Sequence, residues 1–218
     1  MTDARRLRLL TFSTLFPNAV SPYHGVFVEN RLRHLLASGE AESRVIAPVP
    51  WFPSANPRFG TYAAYAAAPR RERRHGIDID HPRYPLIPRF EMTVAPALLY
   101  LWVMPAVQRL LRSGYDFDLI DAHYFYPDGV AAALIARRLG KPLTITARGT
   151  DINLIPQYSL PRRQILWAAD RADGMITVCQ ALKDEMVGLG IPADRITPLR
   201  NGVDLDMFRP QDREALRR

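Results

Sequence analysis

From Phe117 onward the chain alternates short apolar runs with segments of helical periodicity, and this alternation restricts the available folds more than any other feature. FDLIDAHY reads as a buried strand, Pro127 to Leu139 as a helix with proline in its first turn and Gly140 at its stop, and PLTITAR as the next strand. LPRRQILWAADRA, GMITVC, QALKDEMVGLG and RITPLR continue the series as helix, strand, helix and strand. Strands and helices that alternate across short loops require a mainly parallel sheet covered on both faces. The expected fold is a doubly wound α/β domain.

The amino-terminal half is less regular. RLRLLTFS, Arg6 to Ser13, reads as a first strand, followed by a loop carrying Pro17, Asn18, Ser21, Pro22 and Gly25, and then by the helical pattern VFVENRLRHLLAS. SRVIAPV, Ser43 to Val49, reads as a second strand and Pro50 to Pro57 as an irregular loop. The run PRRERRH, Pro69 to His75, reads as a solvated charged stretch. Thr93 to Leu111 is the most apolar segment, but Pro96, Pro105, Gln108 and Arg109 cut its apolar length below the ~20 residues that span a bilayer. It is expected to be a helix buried against the sheet and bent at Pro105, with a helix lying in a membrane surface as the alternative.

A length of 218 residues with 48% apolar content suffices for a large core. The formal charge of +7 points to an anionic partner. Only two of the 29 basic residues, Lys141 and Lys183, are lysines. The single cysteine, Cys179, allows no internal disulfide, and Arg5, Arg6 and Arg8 precede too short an apolar run for a secretory signal. A cytoplasmic location is expected.

In such sheets ligands bind beyond the carboxyl ends of the strands, near the point where strand order reverses. Four loops qualify: Thr14 to Gly25, His123 to Gly129, Arg148 to Asn153, and Asn201-Gly202. Gly25 immediately precedes a helix, where backbone amides can meet a phosphate, or where a glycine simply serves the loop. Neither GxGxxG nor GxxxxGK[ST] occurs, which argues against a dinucleotide dehydrogenase and a P-loop NTPase. His123 ends a strand beside Tyr124, Phe125 and Tyr126, as a catalyst or as a buried hydrogen-bonder. Arg148, Thr150 and Asp151 in TARGTDIN offer donors and acceptors to a polyhydroxylated ligand; locally, Asp151 can instead cap the next helix and pair with Arg148. Cys179 lacks a basic or imidazole neighbour in sequence, as a nucleophile would need. No His or Cys pair has metal-ligand spacing.

The order FDLIDAHYFYPDGVAAALIARRLGKPLTITARGTDIN, WAADRADGMITVCQALKDEM and ITPLRNGVDLDMFRP, with YHGVFVENRLRHL near the start, resembles retaining glycosyltransferases of family 4, the group 1 transferases of GT-B architecture. The resemblance implies a Rossmann-like amino-terminal, acceptor-side domain over residues 1–200, with 201–218 leading toward a carboxyl-terminal donor-binding domain. It implies transfer of a sugar, with retention, from a nucleoside diphosphate sugar to the hydroxyl of a glycan or lipid-linked acceptor in cell-envelope or exopolysaccharide synthesis, without a metal or other cofactor. Gly25 matches the loop glycine whose amide approaches the donor diphosphate, with His24 standing where many members have another glycine. Arg148 stands where many members carry a histidine near the transferred sugar, so an arginine here can hold phosphate or a sugar hydroxyl. His123 matches a family histidine at the end of its strand, and Thr150 and Asp151 match the polar pair that follows; Tyr126 joins them on the acceptor side. Partners implied are the acceptor, the nucleotide sugar and a peripheral membrane surface, not nucleic acid. The rival is a basic α/β module that binds nucleic acid or an anionic membrane without catalysis.

Overall fold

Leu7–Phe12 forms β1, the strand about which the rest of the sheet is laid down, in a computed structural model that describes residues 5–86 and 91–203. From β1 the chain runs through helix α1 (Val26–Ala37) to β2 (Ala41–Ile46), which pairs in parallel beside it. Next come β3 (Val49–Pro50), helix α2 (Thr61–Ala67), β4 (Arg71–Arg74), β5 (Ile77–Asp80), β6 (Arg83–Tyr84) and the long helix α3 (Glu91–Arg112). The second half supplies β7 (Leu119–His123), α4 (Val130–Leu139), β8 (Leu143–Ala147), the short α5 (Thr150–Asn153) and α6 (Ser159–Arg171). It ends with β9 (Gly174–Thr177), α7 (Gln180–Gly188) and β10 (Ile196–Pro198). Eight strands make one sheet in the order β10-β9-β8-β7-β1-β2-β5-β4, parallel except for the β4–β5 edge hairpin, while β3 and β6 pair separately. The doubly wound α/β expectation is met.

Alternation along the strands sends successive side chains to opposite faces. Ile46, Leu10 and Phe12 therefore join the larger core with Leu99 and Val103 of α3, Ile135 of α4 and Ile165 of α6. Val45, Ile77 and Ile79 face the other way and pack with Val28 and Leu32 of α1. Two apolar layers thus sandwich the sheet.

Three local expectations are corrected. The charged run 69–75 is not wholly a solvated stretch: Arg71 and Arg73 lie directly opposite Asp80 and Asp78 across the β4–β5 hairpin and pair with them at 2.7 and 3.6 Å. On the opposite face of β4, Arg74 reaches buried Glu29 of α1 at 2.8 Å, so charge itself knits this edge to the domain. The segment 43–49 divides at Ala47 and Pro48, because proline supplies no amide and the chain leaves the main sheet for β6. The helix expected from Pro127 begins at Val130, since residues Phe125–Gly129 first form a wide turn in which Tyr126 is extended.

Helix α3 continues through Pro96 and Pro105. By length and a mean hydropathy of 1.4 it passes for a bilayer span, yet Ala95, Leu99, Val103, Ala106 and Val107 form a packed stripe at helical spacing. Its other side leaves Leu101 56% and Trp102 46% exposed. Leu99→Ala should therefore lower stability by about 2–5 kcal/mol in urea denaturation. Leu101→Ala should stay within about 0.5 kcal/mol of the parent.

Candidate functional site

The chain lays strands outward from β1 through β2 and β5, then returns to place β7 on the other side of β1, so strand order reverses between β1 and β7. The loops that follow these two strands consequently open side by side, and a buried carboxylate joins them. Asp128, fully buried, accepts from the Thr14 amide at 2.7 Å, from the Thr14 hydroxyl at 2.9 Å and from Ser13 Oγ at 3.4 Å. Ser13 Oγ also lies 3.2 Å from the His123 carbonyl. Burial pushes the Asp128 carboxyl up to about 7 despite these donors.

Gly25 stands at the head of α1 with φ 68°, and a β-carbon there would fall 2.3 Å from the Leu15 carbonyl. No other residue fits without moving the loop backbone. His24 is exposed, and its Nε2 lies 3.1 Å from the Thr14 carbonyl, so it braces the same loop. Phe27, in the first turn of α1, carries the Arg148 guanidinium over its ring at 5.1 Å. Folding therefore brings Arg148, from the end of β8, beside the helix that Gly25 opens.

Arg148 is the centre of a polar chain. Its Nη2 donates to His123 Nδ1 at 2.8 Å and its Nη1 to Asn201 Oδ1 at 3.1 Å, whereas Nε is buried without an acceptor among the described residues. Accepting at Nδ1 places the imidazole proton on Nε2, which donates to Asp121 Oδ2 at 3.1 Å. His123 is accordingly neutral, a form that burial favours by lowering its pKa against the pull of Asp121. Burial works against ionising Asp121, but the His123 N–H, Arg31 of α1 and the Thr144 hydroxyl hold it below the usual carboxylate range. Burial and then Arg31 lower Arg148 to about 10. Arg31 donates to Thr146 Oγ1 at 3.0 Å.

A second buried carboxylate organises the loop after β8. Asp151 is 0% exposed and accepts from the amides of Phe125 at 2.7 Å, Gly149 at 2.7 Å and Arg148 at 3.1 Å. Its burial raises the carboxyl pKa, and these amides oppose that rise. The local alternative for Asp151 is not met: it lies within α5, which has no side-chain cap, and accepts amides of residues that precede that helix, while the Arg148 side chain turns elsewhere. Thr150 remains exposed, with its hydroxyl bonded to the Tyr124 hydroxyl. Tyr124 has φ 81°, a left-handed conformation uncommon for a bulky residue. Tyr126, expected on the acceptor side, lies instead in the larger core and donates its hydroxyl to the Met92 carbonyl at 2.5 Å.

The structure therefore brings Gly25, His24, Arg148 and Thr150 to the loops at the strand ends, with His123 buried behind Arg148, and encloses Asp151 under its loop and Tyr126 in the larger core. Sequence reading passed over Arg31, Asp121 and Asp128. Asp121 and His123 sit two apart on one strand, a spacing that puts both on the same face and was the available signal. Among the described residues, no group of three or more His, Cys, Asp or Glu side chains is placed to hold a metal. Cys179 sits at the head of α7, half-buried. Residues 204–218, which include most of the expected linker, lie outside the described residues.

A mainly parallel sheet with polar loops at its switch point defines a Rossmann-like α/β domain. Solved structures share this fold. HepE from Anabaena, solved with UDP, superposes with a TM-score of 0.56 at 17% identity, over 97% of this chain and 49% of its own. The UDP-GlcNAc 2-epimerase from Methanocaldococcus jannaschii superposes at 0.55 and 11% identity, over 89% and 46%. Fold alone thus does not choose between chemistries. Sequence does choose: residues 64–207 match the profile of Glycosyltransferase Family 4, and the chain belongs to that family. It is 28% identical over 206 residues to TuaC of Bacillus subtilis (strain 168), a glycosyltransferase provisionally assigned to teichuronic acid biosynthesis, covering 93% of this chain and 51% of TuaC. The chain spans about half the length of that relative.

The elevated Asp128 pKa has a signed consequence. The folded state keeps this proton up to about pH 7 whereas an unfolded carboxyl loses it near 4, so its contribution to stability falls as pH rises across that window. Asp128→Asn, which has no proton to lose, should flatten the decline when unfolding free energy is measured from pH 4 to 7.

Proposed function

We propose that this chain is the acceptor-side domain of a retaining glycosyltransferase that moves a sugar from a nucleoside diphosphate sugar to an acceptor hydroxyl on a glycan or lipid-linked sugar of the cell envelope. The observation that carries the reading is the meeting of Arg148 with the first turn of α1, inside a chain whose family profile spans residues 64–207. The acceptor lies over the rim, and the donor is held largely by a second domain across a cleft. The helix terminus at Gly25 and the Arg148 guanidinium face charge that grows on the leaving diphosphate, without calling on a metal. The diphosphate oxygen that leaves the sugar can take the acceptor's proton, because His123, with Nδ1 engaged by Arg148 and Nε2–H by Asp121, has no free site for it. Closure of the cleft orients the two substrates and excludes water. Thr150, exposed on the rim, is the side chain best placed to meet an acceptor hydroxyl, while Asp151 positions the loop from below.

UDP release from a panel of UDP-sugars, with a lipid-linked sugar as acceptor, tests the assignment. The 218-residue chain alone should release no UDP above background. Joined to the donor domain it should do so, and Arg148→Ala should cut kcat by about a hundredfold or more. Robust transfer by the chain alone, or an unaffected Arg148→Ala enzyme, would contradict the proposal.

We also propose a peripheral membrane contact on the cytoplasmic face; the outer side of α3, where exposed Leu101 and Trp102 precede Arg109 and Arg112, supports it. Vesicles rich in phosphatidylglycerol should sediment the protein, and Leu101→Asp with Trp102→Asp should release it. Absence of binding by the parent chain would dispose of the contact.

A further inference from the structure

Arg31 and Arg148 project into the same polar rim from different elements, and neither makes an ion pair with any described residue. Their acceptors are all neutral: the Thr146 hydroxyl for Arg31, and the His123 ring and the Asn201 amide oxygen for Arg148. Two acids stand near, and both are occupied. Asp121 takes the His123 N–H and the Thr144 hydroxyl, and Asp151 takes three backbone amides. Burial and then Arg31 disfavour the charge on Arg148, and Asp121 and Asp151 offset this only in part. Among the described residues, Arg148 Nε has no acceptor and Nη1 is met only by exposed Asn201. Confining two mutually repelling cations with incomplete hydrogen bonding is costly, and a ligand that brings further negative charge and acceptors offsets that cost.

We propose that Arg31 and Arg148 together form a receptor for an oxyanion of the substrate, a phosphate or a carboxylate, which displaces the Asn201 amide from Arg148 Nη1. Arg31 would then be a second binding residue beside Arg148, reached from α1 and held by Thr146. His123, itself held by Asp121, occupies Arg148 Nη2 and so fixes the guanidinium fork. This inference rests on the assignment of the rim as the substrate site, and adds to it the charge of the group bound there. The same chemistry is offered by the diphosphate of a nucleotide and by an acidic sugar acceptor.

Calorimetric titration of the 218-residue chain with inorganic pyrophosphate and, separately, with glucuronate distinguishes the two. Saturable binding of either anion is expected, weakened about tenfold or more by Arg31→Gln and by Arg148→Gln. Arg31→Lys should keep part of the affinity, and matching thermal unfolding of the variants would show that the loss is not misfolding. Binding of pyrophosphate assigns the oxyanion to the nucleotide, and binding of glucuronate alone assigns it to the acceptor. Failure of the parent chain to bind either, or equal affinity in folded Arg31→Gln and Arg148→Gln, overturns the inference. Absence of sugar transfer in the two-domain enzyme would instead strike the functional assignment and leave the anion titration standing.

Discussion

Two buried carboxylates hold the rim of this domain in place. Asp128 gathers the donors of Ser13 and Thr14 after β1, and Asp151 gathers amides from the loops after β7 and β8. Loop amides buried near a sheet edge need acceptors, and a carboxylate can satisfy several at once. Each acid therefore converts separate connections into one body. The cost is the desolvation that raises both pKa values.

On this frame the polar chain Asp121, His123, Arg148 and Asn201 crosses the rim from its buried side to its open side. The ionised carboxylate anchors one end, the almost fully buried neutral ring transmits orientation, and the guanidinium reaches exposed Asn201 at the other. Such an order stabilises a cation where water is scarce while leaving some of its donors for a ligand. Arg31, arriving from α1, shares the field and, among the described residues, bonds the neutral Thr146 hydroxyl and makes no direct ion pair. The cluster differs in this from β4, where arginines pair with Asp78, Asp80 and Glu29.

Much of the fold was legible because buried parallel strands and amphipathic helices differ in period and length, and residues 117–198 keep these periods cleanly. Legibility failed at the edge. The run Arg71–Arg74 has no apolar alternation, and its strand forms through pairing with Asp78 and Asp80, which local pattern does not report. At the site, Gly25, His123 and Arg148 were readable from their places at the ends of strands and the start of a helix. Tyr126 was not, since the wide turn before α4 directs it inward to the Met92 carbonyl.

Sequence alone determined the doubly wound class, the loops that could hold a ligand, and family membership, because these depend on local periodicity and on the order of short motifs. Tertiary structure alone decided that Arg148 leaves Asp151 to the backbone and turns to His123, and that Arg31 joins it from a helix over a hundred residues earlier. Such choices arise from which buried donors and acceptors find one another when distant segments meet. No property of either arginine's own neighbours along the chain encodes that meeting.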